Sequence, residues 1–209
     1  MPLTERVVIK VGGATLFQYS GFESELRSLL AKYANAQVWM LVGGGDLIDA
    51  VRTVHKIYPV LDPVQIHWRC VELLDHTWEL AKEIFPTDTP IASREDLNRF
   101  VTIRDRSGVH WVRCQSFYSR LTRDLIPDSW CPESTWNTTS DVLAWLLAKL
   151  IDADRVVLLK QCHCDPAWSL AEAANRGVID SELARLVKRN GATRPNVEFA
   201  KMRDECGTL

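Results

Sequence analysis

Short apolar runs punctuate this chain, and between them apolar residues recur at helical spacing. Val7-Val8-Ile9-Lys10-Val11 and Val38-Trp39-Met40-Leu41-Val42 read as buried strands, because β-branched and apolar residues follow one another without polar alternation. Between them Phe22, Leu26, Leu29, Leu30 and Tyr33 mark one helix, and Leu47, Ile48, Val51, Val54 and Ile57 mark a second that ends at Pro59. A long helix over 62–84 opens with Pro63 in a tolerated first-turn position and stops ahead of Pro86. A helix-like turn over 94–100 follows. Then the apolar stretches 101–104 and 109–112 flank Asp105-Arg106-Ser107-Gly108, which predicts a β-hairpin. Asn137-Thr138-Thr139-Ser140 supplies capping chemistry for a helix over 141–150, and residues 155–160 read as another buried strand. A helix over 180–188, closed by Gly191, and a strand over 197–200 complete the pattern. The alternation predicts an α/β protein: a three-layer αβα sandwich with a mostly parallel central sheet, plus the hairpin. No Gly/Ser tract, Pro-rich run or block of like charge interrupts it, so residues 1–209 are expected to form one domain.

Two predicted strands run directly into glycine, the first into Gly12-Gly13 and the second into Gly43-Gly44-Gly45. Glycine lets backbone N–H groups come close to a ligand, and a helix that follows points its positive end at an anion. Each cluster alone also reads as an ordinary tight turn between strand and helix. Together, with Lys10 two residues before the first, they suggest a nucleotide-phosphate cradle. Neither matches GxxxxGK[ST] or GxGxxG, so the site is of another kind.

Composition narrows the partners. A formal net charge of -2 argues against a nucleic-acid surface. No apolar stretch reaches membrane-spanning length and the N-terminus carries no signal-peptide pattern, so a cytoplasmic protein without membrane contact is expected. Six cysteines at irregular spacing are read as free or buried thiols, and Cys162-His163-Cys164 makes a poor tetrahedral ligand set, so no metal site is assigned.

VVIKVGGATL, LVGGGDLIDAVR and NTTSDVLAWLLAKLIDADRVVLLK, in this order, resemble motifs of the amino acid kinase superfamily, which includes acetylglutamate, aspartate, glutamate, carbamate and uridylate kinases. The resemblance implies a doubly wound αβα sandwich with ATP along the C-terminal edge of the sheet. It implies that Lys10 contacts the transferring phosphoryl group, Gly12 and Gly13 the phosphates, and Gly43, Gly44 and Gly45 the acceptor and its developing charge. Asp141 matches the aspartate that holds the catalytic lysine, although a first-turn carboxylate also serves a helix dipole. Lys160 is either a second cation for the β- or γ-phosphate or a strand-end lysine. The chain departs from the family at 161–166, where Gln161-Cys162-His163-Cys164-Asp165-Pro166 replaces an Asp-Val-Asp-Gly type loop.

Within the superfamily the chain looks most like the small kinases of methanofuran biosynthesis, which phosphorylate an aminomethylfuran-methyl phosphate. On that resemblance Arg52 and His67 face the incoming phosphate, and Asp75 or Trp68 the amine or furan ring. The helical spacing of Trp68, Val71, Leu74 and Trp78 equally suits core or a dimer surface. The implied activity is an ATP- and Mg²⁺-dependent kinase acting on a phosphate monoester or carboxylate, as a homodimer or higher homo-oligomer. The alternatives are an acyl-phosphate-forming amino acid kinase and a non-catalytic nucleotide- or oxyanion-binding member of the fold.

Overall fold

A computed structural model of the chain describes residues 4–18, 21–103, 106–162, 164–165, 167–191 and 194–201. Five strands, β1 (Arg6–Val11), β2 (Gln37–Val42), β3 (Gly108–Trp111), β4 (Arg155–Lys160) and β5 (Asn196–Lys201), form one sheet in the order β3-β2-β1-β4-β5. Every pairing between them is parallel. The helices are α1 (Gly13–Gln18), α2 (Phe22–Ala31), α3 (Asp46–Ile57), α4 (Pro63–Ile84), α5 (Arg94–Thr102), α6 (Ser140–Leu150), α7 (Leu170–Asn175) and α8 (Ser181–Arg189). The predicted α/β layering is therefore present. None of the helices is long and apolar enough to cross a membrane, among the described residues.

The predicted β-hairpin does not form. Ser93 and Asp96 make a reciprocal capping box that starts α5, and this helix carries the chain through Thr102 while burying Leu97. The second half of the predicted hairpin becomes β3, which takes the open edge of β2 in parallel register from Gln37↔Gly108 to Met40↔Trp111. Trp111 is fully buried there, and its Nε1–H donates to the Phe85 carbonyl at 2.8 Å. Burial of that indole outweighs the local turn signal. Arg104 and Asp105 lie outside the described residues.

Strand alternation sorts the core into two faces. Val7, Ile9 and Val11 of β1 pack with Val38, Met40 and Phe22 on one side. Val8 packs with Trp39, Leu41, Val156 and the apolar residues of α6 on the other. Lys10 shares the parity of Val8, so period two sends its side chain toward α6. The helix α6 is buried from Asp141 through Ala148, as expected of a helix apolar all round.

The strand order also contains a topological switch point. From β1 the sheet grows one way through β2 and β3, and the other way through β4 and β5, so the winding direction reverses between β1 and β4. In open parallel sheets the crevice at the carboxyl ends of the strands flanking such a switch is the ligand position. Lys10 and Lys160 stand at those two ends.

Candidate active site

The two glycine loops form one body. A Cβ at Gly13 would lie 2.1 Å from Gly45 N and 2.6 Å from Gly43 O, so the backbones touch where neither residue leaves room for a side chain. Gly45 sits at φ 51°, a conformation glycine adopts without steric cost, and α3 begins at the next residue. Gly43 N donates to Val11 O at 2.9 Å, which ties the second loop to the end of β1.

Beside these loops Asp141 joins two lysines. Lys10 Nζ is 2.9 Å from Asp141 Oδ1, and Lys160 Nζ donates to Oδ2 at 2.5 Å. The carboxylate is 3% exposed. Burial alone raises its pKa, but the charges of Lys10 and Lys160 and their hydrogen bonds outweigh that, so it is held below the usual carboxylate value. Two ammonium groups thus converge on one buried carboxylate at the switch point.

The start of α6 aims Asp141. Thr139 is the N-cap, and its Oγ1 accepts from Asp141 N at 3.3 Å. The same hydroxyl donates to Asp180 Oδ2. Asp180 precedes α8 yet makes no cap hydrogen bond to that helix. Its pKa is raised, first by burial and then by the neighbouring Asp141 charge. Asp180 and Thr139 thus hold the helix terminus that presents Asp141.

A cavity of about 180 Å³ opens from the second glycine loop toward α4 and the segment before α6. Gly44, Gly45, Arg52, His67, Trp136 and Ser140 are among its lining residues. His67 Nδ1 is 3.2 Å from the Thr135 carbonyl and Nε2 is 3.0 Å from Tyr118 Oη. The carbonyl only accepts, so the ring proton sits on Nδ1 and Nε2 accepts from the tyrosine. Burial pushes the pKa of His67 down to about 4. The ring is neutral and both nitrogens are engaged.

Trp68 and Asp75 are placed elsewhere. Trp68 is the residue after His67, and the helical turn carries it into the core, where its ring stacks on Tyr118 with centroids 5.1 Å apart. Asp75 accepts from Arg113 at 2.6 Å and Gln115 at 2.8 Å, and neither it nor Trp68 lines the cavity. Gly12 stands in the first loop, where an added Cβ would meet Thr15 Oγ1 at 3.2 Å.

Sequence reasoning passed over Asp180, His55 and Trp136 as site residues. Asp180 looked like an ordinary helix start, and nothing in spacing ties it to Thr139. Trp136 lies in an irregular segment with no periodicity to orient it. The substituted loop after β4 is described only in part, with His163 and Pro166 outside the described residues. No group of three His, Cys, Asp or Glu side chains able to hold a metal gathers among the described residues.

No protein-family profile and no curated protein sequence matches the chain. Solved structures do. The uridylate kinase of Archaeoglobus fulgidus aligns over 93% of this chain and 90% of its own, with TM-score 0.56 and 18% identity. The UMP kinase of Bacillus anthracis aligns over 93% and 87%, with TM-score 0.59 and 13% identity. The chain shares the fold of these proteins.

Proposed function

We propose that this chain, built on the fold of the uridylate kinases, is an ATP-dependent phosphotransferase whose acceptor is a small phosphate monoester or carboxylate. The observation that carries the reading is Asp141 bridging Lys10 and Lys160 beside the joined glycine loops at the switch point. Phosphoryl transfer needs alignment and positive charge at the equatorial oxygens more than covalent help. Lys10 and Lys160 supply that charge, and Asp141 keeps both ammonium groups in place.

The acceptor occupies the cavity between the second glycine loop and Ser140, with the N-terminus of α3 and Arg52 turned toward its anionic group. An acceptor phosphate or carboxylate oxygen is already deprotonated at neutral pH, so the reaction needs no general base. That agrees with a cavity whose histidine has both nitrogens occupied. Mg²⁺ would enter this reading with the phosphates of ATP and would offset part of their negative charge. Aminomethylfuran-methyl phosphate, which the sequence resemblance suggests, is one acceptor of this class.

The reading keeps a homo-oligomer. Ile57, Tyr58 and Val60, at the turn from α3 to α4, are 63%, 57% and 89% exposed, and an apolar corner of this kind is what a second copy would cover. Light scattering on the purified chain tests that point.

The activity is tested by ADP release with Mg²⁺-ATP against aminomethylfuran-methyl phosphate, nucleoside monophosphates, acetylglutamate, glutamate, aspartate and carbamate. Release that depends on one acceptor and disappears in Lys10→Ala supports the proposal. ATP binding with no turnover on any acceptor favours a binding protein of this fold instead.

A further inference from the structure

We infer that Trp136, clamped by His55, is the wall that sets acceptor size, and that it restricts the cavity to an anion smaller than a nucleoside monophosphate. The inference rests on the assignment of this cavity to the acceptor. Its volume of about 180 Å³ lies below the roughly 300–1,000 Å³ of sites for drug-sized ligands.

The wall is built from two directions. Trp136 Nε1–H donates to His55 Nδ1 at 2.6 Å, and the two rings lie 30° from parallel with centroids 5.8 Å apart. An Nδ1 that accepts carries no proton, so the imidazole proton is on Nε2, which donates to the Leu61 carbonyl at 3.1 Å. One neutral histidine therefore ties the indole to α3 and to the turn that leads into α4. One helical turn earlier, Arg52 pairs with Asp49 and sets its guanidinium 5.2 Å from the Trp136 ring centroid.

The cavity also has apolar lining, with Val71, Leu74 and Leu143 among its residues. A flat ring entering the cavity would meet those side chains and the indole, and Arg52, also in the lining, is the cation offered to its anionic substituent. Stacking of a ring on an aromatic side chain contributes about 1–3 kcal/mol, or roughly five- to 150-fold in affinity. His55 acts through Trp136 and is a positioning residue.

The test is calorimetric binding of two probes, benzyl phosphate and UMP, to the full chain, so it does not depend on turnover. Wild type is expected to bind benzyl phosphate at least tenfold more tightly than UMP. Trp136→Ala should weaken benzyl phosphate roughly five- to 150-fold and abolish the discrimination, whereas Trp136→Phe, which keeps a ring, should retain most of it. His55→Ala should behave like Trp136→Ala. His55→Asn, which offers an acceptor in place of Nδ1, should restore the discrimination, an outcome a merely structural histidine does not produce. Thermal melts identify any variant that fails to fold, in which case the two conservative variants carry the test.

Equal or tighter UMP binding by wild type, no binding of either probe, or an unchanged ratio in a folded Trp136→Ala would overturn the inference. If the selectivity is found but no acceptor supports ADP release, the phosphotransfer reading fails and the wall stands. If ADP release is found with UMP as a good acceptor, the reverse holds.

Discussion

Lys10, next to last in β1, and Asp141, in the first turn of α6, meet at 2.9 Å although they lie far apart along the chain. Lys10 owes the meeting to its parity with Val8, which sends it to the face that α6 covers. Asp141 owes it to Thr139, whose hydroxyl starts the helix at that point. Lys160, at the end of the neighbouring strand β4, takes the other carboxylate oxygen.

Replacing Lys10 by alanine removes one of the two cations proposed to meet the transferring group. Loss of a single preorganised charge contact in a transition state costs roughly 10²–10³-fold in turnover. Steady-state kinetics should show that fall in kcat, with circular dichroism unchanged because Lys160 still pairs with Asp141. Near-normal kcat takes Lys10 out of the mechanism.

Asp141→Asn leaves Lys10 and Lys160 side by side without their carboxylate. Breaking a buried ion pair by removing one partner costs about 3–5 kcal/mol. Denaturant unfolding should report a loss of that order, and added phosphate or ATP should recover much of it, since an anion then takes the place of the carboxylate. A variant as stable as wild type, and indifferent to anions, contradicts the described network.

The glycines of the first loop should differ in tolerance. At Gly13 an added Cβ meets the backbone of Gly43 and Gly45 at 2.1–2.6 Å, and the two loops must part. At Gly12 the nearest atoms are Thr15 Oγ1 at 3.2 Å and Leu159 O at 3.7 Å. Gly13→Ala is therefore expected to lose ATP binding and to melt several degrees lower, while Gly12→Ala keeps most of both. Calorimetry with ATP and a thermal melt distinguish them, and equal behaviour contradicts the close approach.

His67 makes stability depend on pH in a defined window. Its folded pKa is about 4, below the unfolded value of 6.5, so between those values the unfolded chain binds the extra proton. Stability contributed by neutral His67 is complete above pH 6.5 and declines as pH falls toward 4, with a slope approaching one proton, about 1.4 kcal/mol per pH unit. The depressed carboxylate of Asp141 acts later, losing its contribution below the ordinary carboxylate range. Urea titrations across this range should show a shallower slope for His67→Gln than for wild type between pH 6.5 and 4. Superimposable slopes refute the assignment of a neutral buried ring.

Secondary structure was readable wherever pattern and punctuation agreed. The buried strands, the Pro63 start of α4, the capping run before α6 and the glycine loops each follow from local stereochemistry, and the structure has them within a residue or two. The region 101–112 misled because its turn residues and flanking apolar runs suit a hairpin, while the helix cap at Ser93 and the free edge of β2 act over distances that local pattern does not record. The site divides the same way. Lys10 and the glycines announce themselves by standing at strand ends.

What the sequence by itself determined is the period of each element and the side chains that end each strand, because these depend on neighbours within a turn or a pleat. Only the tertiary structure decided that Asp141 sits between Lys10 and Lys160, that Asp180 reaches Thr139 rather than its own helix, that His55 holds Trp136 over the cavity, and that Trp68 and Asp75 have partners away from it. Those contacts join residues far apart along the chain. They arise from how helices pack on a twisted sheet, a geometry to which no single segment holds the key.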